Sequence, residues 1–348
     1  MITTFNRTLA LMPLLLLGAS SCGASVFAGA GSSGDGAQLQ ARCGGGFGGS
    51  ASARKLESFM SASVAFMGAA QDLHGVLLDA CQDIGRRLGV PEEQLAPPGA
   101  EPDVRAVCAA ASAALRAELQ DLRVQAKLDV EVEATPPHCD IRVDAYASCA
   151  AQCDATVDPG KLEVQCEGGE LVGKCSGTCE GDCRVGSGGW VSGQARCEGL
   201  CRGNCSVAFE EPRCTGTARP PNVAAECEAA CNAKLDAEAR CTPGEAHVAV
   251  RGTVASNIGE RLARVRGAIE GAGGAVLATR AKAERLVASG KLLLRAADDV
   301  PKAVGEIGLS AAACAAESAA GIINASASIS VSFEASASVS GSIAGSSG

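Results

Sequence analysis

Aromatic side chains are almost missing from this chain. They make up 3 % of its 348 residues, with one Trp and one Tyr. Phe, Tyr and Trp supply the largest apolar areas in ordinary cores. A chain rich in Ala, with 43 Gly, buries little apolar area per residue, so something besides hydrophobic burial must hold the fold. His is also scarce, at three residues. His74 falls on an apolar helical stripe and reads as a core histidine. His138 stands beside Cys139 with no base or nucleophile nearby, and His247 opens a strand-like run. The motifs G-x-S-x-G, H-E-x-x-H and the Walker loop are absent, and so is a redox-type C-x-x-C. The Gly-rich run Gly271–Val276 lies inside a helical heptad pattern and does not follow a strand, which removes the context a dinucleotide loop needs. Net charge is −9 with basic residues scattered, so there is no patch for nucleic acid or anionic lipid. No apolar run after Leu17 is long enough to cross a bilayer. The expectation is a protein that is not an enzyme and carries no cofactor.

What the chain has in excess is cysteine, nineteen residues in all. From Cys139 to Cys241 there are fourteen, and the steps between them run 10, 4, 13, 9, 4, 4, 14, 4, 4, 9, 13, 4, 10. The series is the same in both directions and its centre is Trp190. Gene duplication yields direct repeats; a mirrored spacing is what a chain folded back on itself produces. Residues four apart share a face of a strand or of a helix. Cys175–Cys183 and Cys197–Cys205 read as facing strands, and the Ala-rich stretches Tyr146–Asp154 and Val223–Arg240 read as helices. The mirror then predicts seven nested disulfides: Cys139–Cys241, Cys149–Cys231, Cys153–Cys227, Cys166–Cys214, Cys175–Cys205, Cys179–Cys201 and Cys183–Cys197. Fourteen cysteines allow roughly 10⁵ pairings, and the mirror selects one family of them. Zinc binding by the C-x₃-C pairs is the competing reading. It is set aside because the chain reads as exported and the region has almost no His.

The N-terminus supplies the compartment. Arg7 precedes the apolar run Leu9–Leu17, a signal-peptide pattern. Leu17-Gly18-Ala19-Ser20-Ser21-Cys22 resembles a bacterial lipobox, with Ala19 where Leu is usual. The resemblance implies that Cys22 is acylated and becomes the first mature residue. Gly23 after it, by analogy with lipoprotein sorting, favours the outer membrane. Ordinary cleavage after Ala28 or Ala30 is the alternative. Either way eighteen cysteines remain for disulfides.

The rest of the chain divides by composition. Residues 1–22 are the export segment and 23–53 a Gly/Ser-rich flexible tether. Residues 54–127 form a helical hairpin: a heptad stripe from Leu56 to Leu88, prolines at 91, 97 and 98, and a second helix over about 102–127. Cys81 and Cys108 lie about equally far from the middle of the connecting loop, which pairs them antiparallel and leaves Cys43 to bond Cys314. Residues 128–254 are the disulfide-rich head, with 127–133 and 247–253 expected to pair as strands at its base. Residues 255–322 return as a helix over 256–299 and a second begun by Pro301, packing on 54–127 as a bundle. In 323–348 the stretch Ala325–Ser340 alternates polar and apolar residues with period two, which reads as a long strand or as a disordered Ala/Ser segment. A strand there would need a partner edge, within this chain or in another copy.

The fold class read from these patterns is α+β: an antiparallel helical bundle or coiled-coil stalk with an inserted disulfide-rich β/α hairpin head. The export segment, tether and Cys-x-Gly-x-Cys runs such as Cys175–Cys183 resemble uncharacterised cysteine-rich envelope lipoproteins of bacteria. That resemblance implies a lipid-anchored protein of the outer membrane or cell surface, or else a secreted one, and brings no catalytic residues. Trp190, in the Gly-rich bend 186–193, reads either as a contact for a protein or glycan partner or as a cover for the disulfide ladder. Self-assembly through 325–340, and an exported enzyme without a recognisable motif, are the alternative functions.

Overall fold

Ser50 starts the first long helix: its hydroxyl accepts the Ala53 N–H at 3.1 Å, satisfying one of the helix's unpaired donors. The computed structural model describes residues 35–344 except 45, 160, 161, 163, 174–175, 186–194, 205–212, 253 and 255–257, and gives the backbone alone at 35, 170–185, 195–204 and 298–307. In order the chain forms α1 (Asp35–Cys43), α2 (Ala51–Arg87), α3 (Glu92–Leu95), α4 (Val104–Val124), β1 (Asp129–Ala134), β2 (His138–Arg142), α5 (Val143–Cys153), β3 (Gln165–Glu167), β4 (Glu170–Gly173), β5 (Ser176–Val185), β6 (Ala195–Asn204), β7 (Arg213–Cys214), β8 (Thr217–Arg219), α6 (Ala225–Glu238), β9 (Arg240–Thr242), β10 (Ala246–Arg251), α7 (Gly259–Ile307) and α8 (Leu309–Ala344). The fold is α+β.

The bundle comprises α2, α4, α7 and α8. The heptad stripe of α2 is buried at Leu56, Met60, Ser63, Met67, Ala70, Leu77, Cys81 and Ile84, and that of α7 from Leu262 to Leu286. Small residues let the helices approach closely. A Cβ at Gly290 would lie 2.7 Å from the Phe66 ring, and one at Gly321 would lie 2.3 Å from the Met67 sulfur.

The helix directions correct the expected hairpin. Phe66 meets Gly290, and Arg87 lies beside Gly267 and Gly271, so α2 and α7 are antiparallel. Gly290 and Gly273 of α7 meet Ser326 and Ile343 of α8, again antiparallel. Arg105 bonds Glu334 while Arg116 bonds Ser342, so α4 advances in the same direction as α8. Arg261, near the start of α7, bonds Glu118 and Asp121 near the end of α4. Helices α2, α4 and α8 therefore run one way and α7 the other, and α2 and α4 are not an antiparallel hairpin. The cause is the connection. Gly89 reverses the chain at φ +80°, Leu95 of α3 seats on Gly85, and a second turn follows at Pro97–Ala100, where Gly99 takes φ +77° and the Ala100 N–H donates to the Pro97 carbonyl at 3.4 Å. The chain is thereby carried back along α2 before α4 begins. Cys81 and Cys108 remain close enough to bond.

The inserted segment folds back as its spacing predicts. β1 pairs with β10, β2 with β9 and β5 with β6, all antiparallel, and every partner pair in these three ladders lies equally far from position 190. The sheet is richer than one hairpin. Its six strands lie in the order β5-β6-β4-β7-β2-β9, and β4 pairs with β6 and β7 outside the mirrored register. β3 and β8 form a separate pair in which Cys166 faces Ala218, not Cys214. The Cys166–Cys214 bridge thus ties that pair to the larger sheet.

The segment does not stand off the end of a stalk. Helix α6 lies along the bundle, with Ala230, Ala233 and Ala237 in one buried cluster with Leu56, Phe59 and Leu286. Lys55 pairs with Glu226 at 3.6 Å. Arg285 of α7 donates to Asp236 at 2.7 Å and to the carbonyls of Thr215 and Gly216 at 2.6 and 3.0 Å. Residues 31–348 form one unit by their contacts, so the expected segments 54–127, 128–254 and 255–322 are parts of one body.

Two further expectations are corrected. Part of the expected tether, Asp35–Cys43, is a helix with Leu39 and Cys43 buried and Cys43 bonded to Cys314. The tail 325–340 is neither strand nor coil but the second half of α8. A stripe of its buried positions, Ala311, Cys314, Ser318, Ile322, Ala325, Ile329, Ser332, Ser336, Val339 and Ile343, steps by three and four, with Ala335, Ser340 and Ser342 buried beside it. Period two and the helical repeat coincide at i+4. Counting every Ser as a surface residue hid the helical stripe, because serine is small enough to sit in a close-packed helix contact. A strand-mediated assembly through 325–340 is therefore removed. The break between the last two helices comes at Gly308 (φ +109°), not at Pro301, which lies within α7.

Candidate functional site

The described disulfides are Cys43–Cys314, Cys81–Cys108, Cys139–Cys241, Cys149–Cys231, Cys153–Cys227 and Cys166–Cys214, the pairs drawn from the spacing. In β5 and β6 the backbone positions of Cys179 and Cys201, and of Cys183 and Cys197, are direct partners. Cys175–Cys205, Trp190 and the lipobox Cys22 lie outside the described residues.

Among the described residues of the disulfide-rich part, the groups with shifted pKa values are Asp144, Tyr146, Asp154, Glu228 and Asp236. Tyr146 is fully buried and its hydroxyl has no hydrogen-bond partner. Burial, and then the charge of Glu228, push the phenol far above its ordinary pKa, so it stays protonated. Burial also raises Glu228, against the pull of Arg219 and with the help of Glu167. Arg219 sits between these carboxylates, 3.1 Å from Glu167 and 3.8 Å from Glu228. Asp236, bonded to Arg285, is likewise raised by burial. The three histidines are scattered. His74 is half-buried beside the α2 stripe, with Leu73 taking the buried position and its own Nδ1 left without a partner. His138 is exposed in β2, and the exposed His247 lies 3.2 Å from Glu245. Among the described residues no three His, Cys, Asp or Glu side chains are placed to hold a metal, and no helix is long and apolar enough to cross a membrane.

A shaped cleft lies elsewhere, between the end of α4 and the end of α8. It encloses about 340 Å³ and is lined by Arg116, Leu119, Gln120, Arg123, Val124, Gly341 and Ser342. The spacing of Arg116, Gln120 and Arg123 puts them on one face of α4, while the opposite face packs Val107, Cys108, Ala111, Leu115 and Leu122 into the core. Arg116 Nε donates to Ser342 Oγ at 2.8 Å and its Nη2 to Ser112 Oγ at 3.0 Å. The two hydroxyls are 2.7 Å apart, and both serines are buried. Arg123 reaches the Val130 carbonyl at 3.5 Å. Val124, 68 % exposed, forms an apolar rim. The sequence reading passed over these arginines. The signal was present as a basic and amide stripe opposite the α4 core positions, but its second wall depends on where α8 ends.

No protein-family model matches the chain, and neither does any curated protein or any solved structure.

Proposed function

We propose that this is a non-enzymatic protein of the bacterial cell envelope, exported and held at its N-terminus through acylated Cys22, with a structural or partner-binding role. The observation that carries the reading is the set of six disulfides, since such density belongs to oxidising compartments outside the cytoplasm. The apolar run Leu9–Leu17 and the lipobox-like residues ending at Cys22 support export and anchoring. The glycine that follows Cys22 favours the outer membrane or cell surface. Secretion after cleavage at Ala28 or Ala30 is the second reading, favoured by the Ala28-Gly29-Ala30 pattern.

The partner surface in this proposal includes the connection between β5 and β6. Those strands end at Val185 and Ala195, and the link between them is centred on Trp190, the chain's one indole. A protein or glycan is the partner class.

Intact-mass measurement of protein purified from fractionated cells tests the proposal. Expected are recovery in the membrane fraction, loss of residues 1–21, an added acyl mass on Cys22, and a gain of eighteen hydrogens on reduction. A full-length chain in the cytoplasm with free thiols would overturn it. A soluble exported chain starting at residue 29 or 31 would select the secreted reading.

A further inference from the structure

We propose that the α4–α8 cleft binds a small amphiphilic anion: one carboxylate or phosphate head on a short apolar tail. Three observations converge. First, the Arg116 guanidinium is aimed by two serine hydroxyls from different helices, Ser112 and Ser342, and no carboxylate among the described residues pairs with it. The acids on the same helix are engaged elsewhere: Glu118 and Asp121 are held by Arg261 at 2.9 and 3.0 Å. Glu334 of α8 is held by Arg105. Second, Arg123 lies on the same face two turns on, so two cations line one opening, with the Gln120 amide between them. Third, the rest of the lining is apolar or backbone, from buried Leu119 through Gly341 to exposed Val124.

A guanidinium fixed by hydrogen bonds is pre-organised for an oxyanion, because the bound geometry exists before the ligand arrives. The apolar lining adds burial of a tail and disfavours a bare inorganic ion. The cleft volume lies at the low end of the range for ligand pockets, which sets the tail at a short chain or a single ring. A cationic amphiphile of the same length meets two positive charges and is rejected. This site does not depend on how the chain is anchored, so it stands or falls separately from the envelope reading.

The test is calorimetric titration of the full, oxidised chain with octanoate, octyl phosphate, acetate and octyltrimethylammonium. Saturable one-to-one binding of octanoate or octyl phosphate is expected, and which of the two binds tighter assigns the head group. Acetate and the cation should bind at least tenfold more weakly. Arg116→Gln should weaken the tighter ligand at least tenfold. Val124→Ser, which touches neither the serine bonds nor the core, should weaken it about threefold with the melting temperature unchanged. Non-saturable binding of both anions, equal binding of the cation, or undiminished affinity in both variants would overturn the proposal.

Discussion

Removing one bridge from a nested set should cost far less than its span in sequence implies. In the chain-entropy account a disulfide stabilises by restricting the unfolded state, and the relevant loop is the one left after the other bridges have closed. Cys153 and Cys227 are 74 apart in sequence. Cys149–Cys231 already joins the chain four residues outside each of them, so the extra ring is only about eight residues, worth about 2.5 kcal/mol. Taken on its full span it would be worth about 4.5 kcal/mol. Cys43–Cys314 is the opposite case, with a separation of 271. Shortcuts through Cys81–Cys108 and Cys139–Cys241 reduce its ring to about 140 residues, still worth about 5 kcal/mol. Each pair joins two helices, α5 to α6 or α1 to α8, where Ala is well tolerated. Urea unfolding without reductant should therefore show C43A/C314A destabilised about 2.5 kcal/mol more than C153A/C227A. The packing lost with the more buried inner pair narrows that gap. It does not close it, because both replacements delete the same atoms. Equal costs within about 1 kcal/mol, or the reverse order, would refute the nested-ring argument.

Gly274→Ala should destabilise by about 2–3 kcal/mol, since its Cβ would lie 2.2 Å from the Gly244 carbonyl oxygen. Gly68→Ala, on α2 with nothing within 4 Å, should stabilise by up to about 1 kcal/mol in the same urea unfolding. Arg285→Met should cost about 3–5 kcal/mol near neutral pH, because it strands a buried carboxylate. Burial raises the Asp236 pKa, so the folded state keeps this proton to higher pH than the unfolded state does, and stability from this group falls as pH rises above the ordinary carboxylate range. Loss of Arg285 extends that window upward, so the penalty measured at pH 4.5 should be smaller than at pH 7. Tyr146 is the chain's one tyrosine and its phenol is raised by burial. Tyrosinate absorbance should therefore appear only with alkaline unfolding, and Tyr146→Phe, which removes a buried hydroxyl that has no partner, should be neutral or stabilising by about 1 kcal/mol.

What could be read from the sequence depended on whether a signal was local or relational. The cysteine mirror is relational: it gave the registers of the β1–β10 and β5–β6 ladders and the Cys139–Cys241 pairing, while the β2–β9 strands that carry that last pair were not read from it. The apolar stripes of α2 and α7 were visible because Leu, Met, Ile and Val mark them. The α8 stripe was not, because Ser318, Ser332 and Ser336 occupy buried positions that a hydrophobicity count assigns to water. Helix direction was misread between α2 and α4 because the proline-rich connection was taken for a simple hairpin loop. Connection length fixes how far a chain can travel, not which way it goes, and Leu95 on Gly85 is a tertiary contact that no local pattern announces. The Arg116–Arg123 cleft has one wall on α4 and the other on α8, so an alternating strand reading of 325–340 hid it.

These features share one physical cause. A bundle that places Gly290 against Phe66, Gly321 against Met67 and Ser112 against Ser342 brings its helices close but buries few large side chains. Close approach gains dispersion contacts, yet the apolar area removed from water per residue stays low. Cross-links act on the unfolded chain instead and are indifferent to side-chain size. Their placement fits that division of labour: Cys43–Cys314 and Cys81–Cys108 fasten the helices at separate levels, and the nested set fastens the one long excursion between α4 and α7. Arg285 then joins the two parts through Asp236 and the Thr215 and Gly216 carbonyls. Reduction should accordingly loosen the excursion and the bundle together, because each depends on bridges for order that its side chains do not supply.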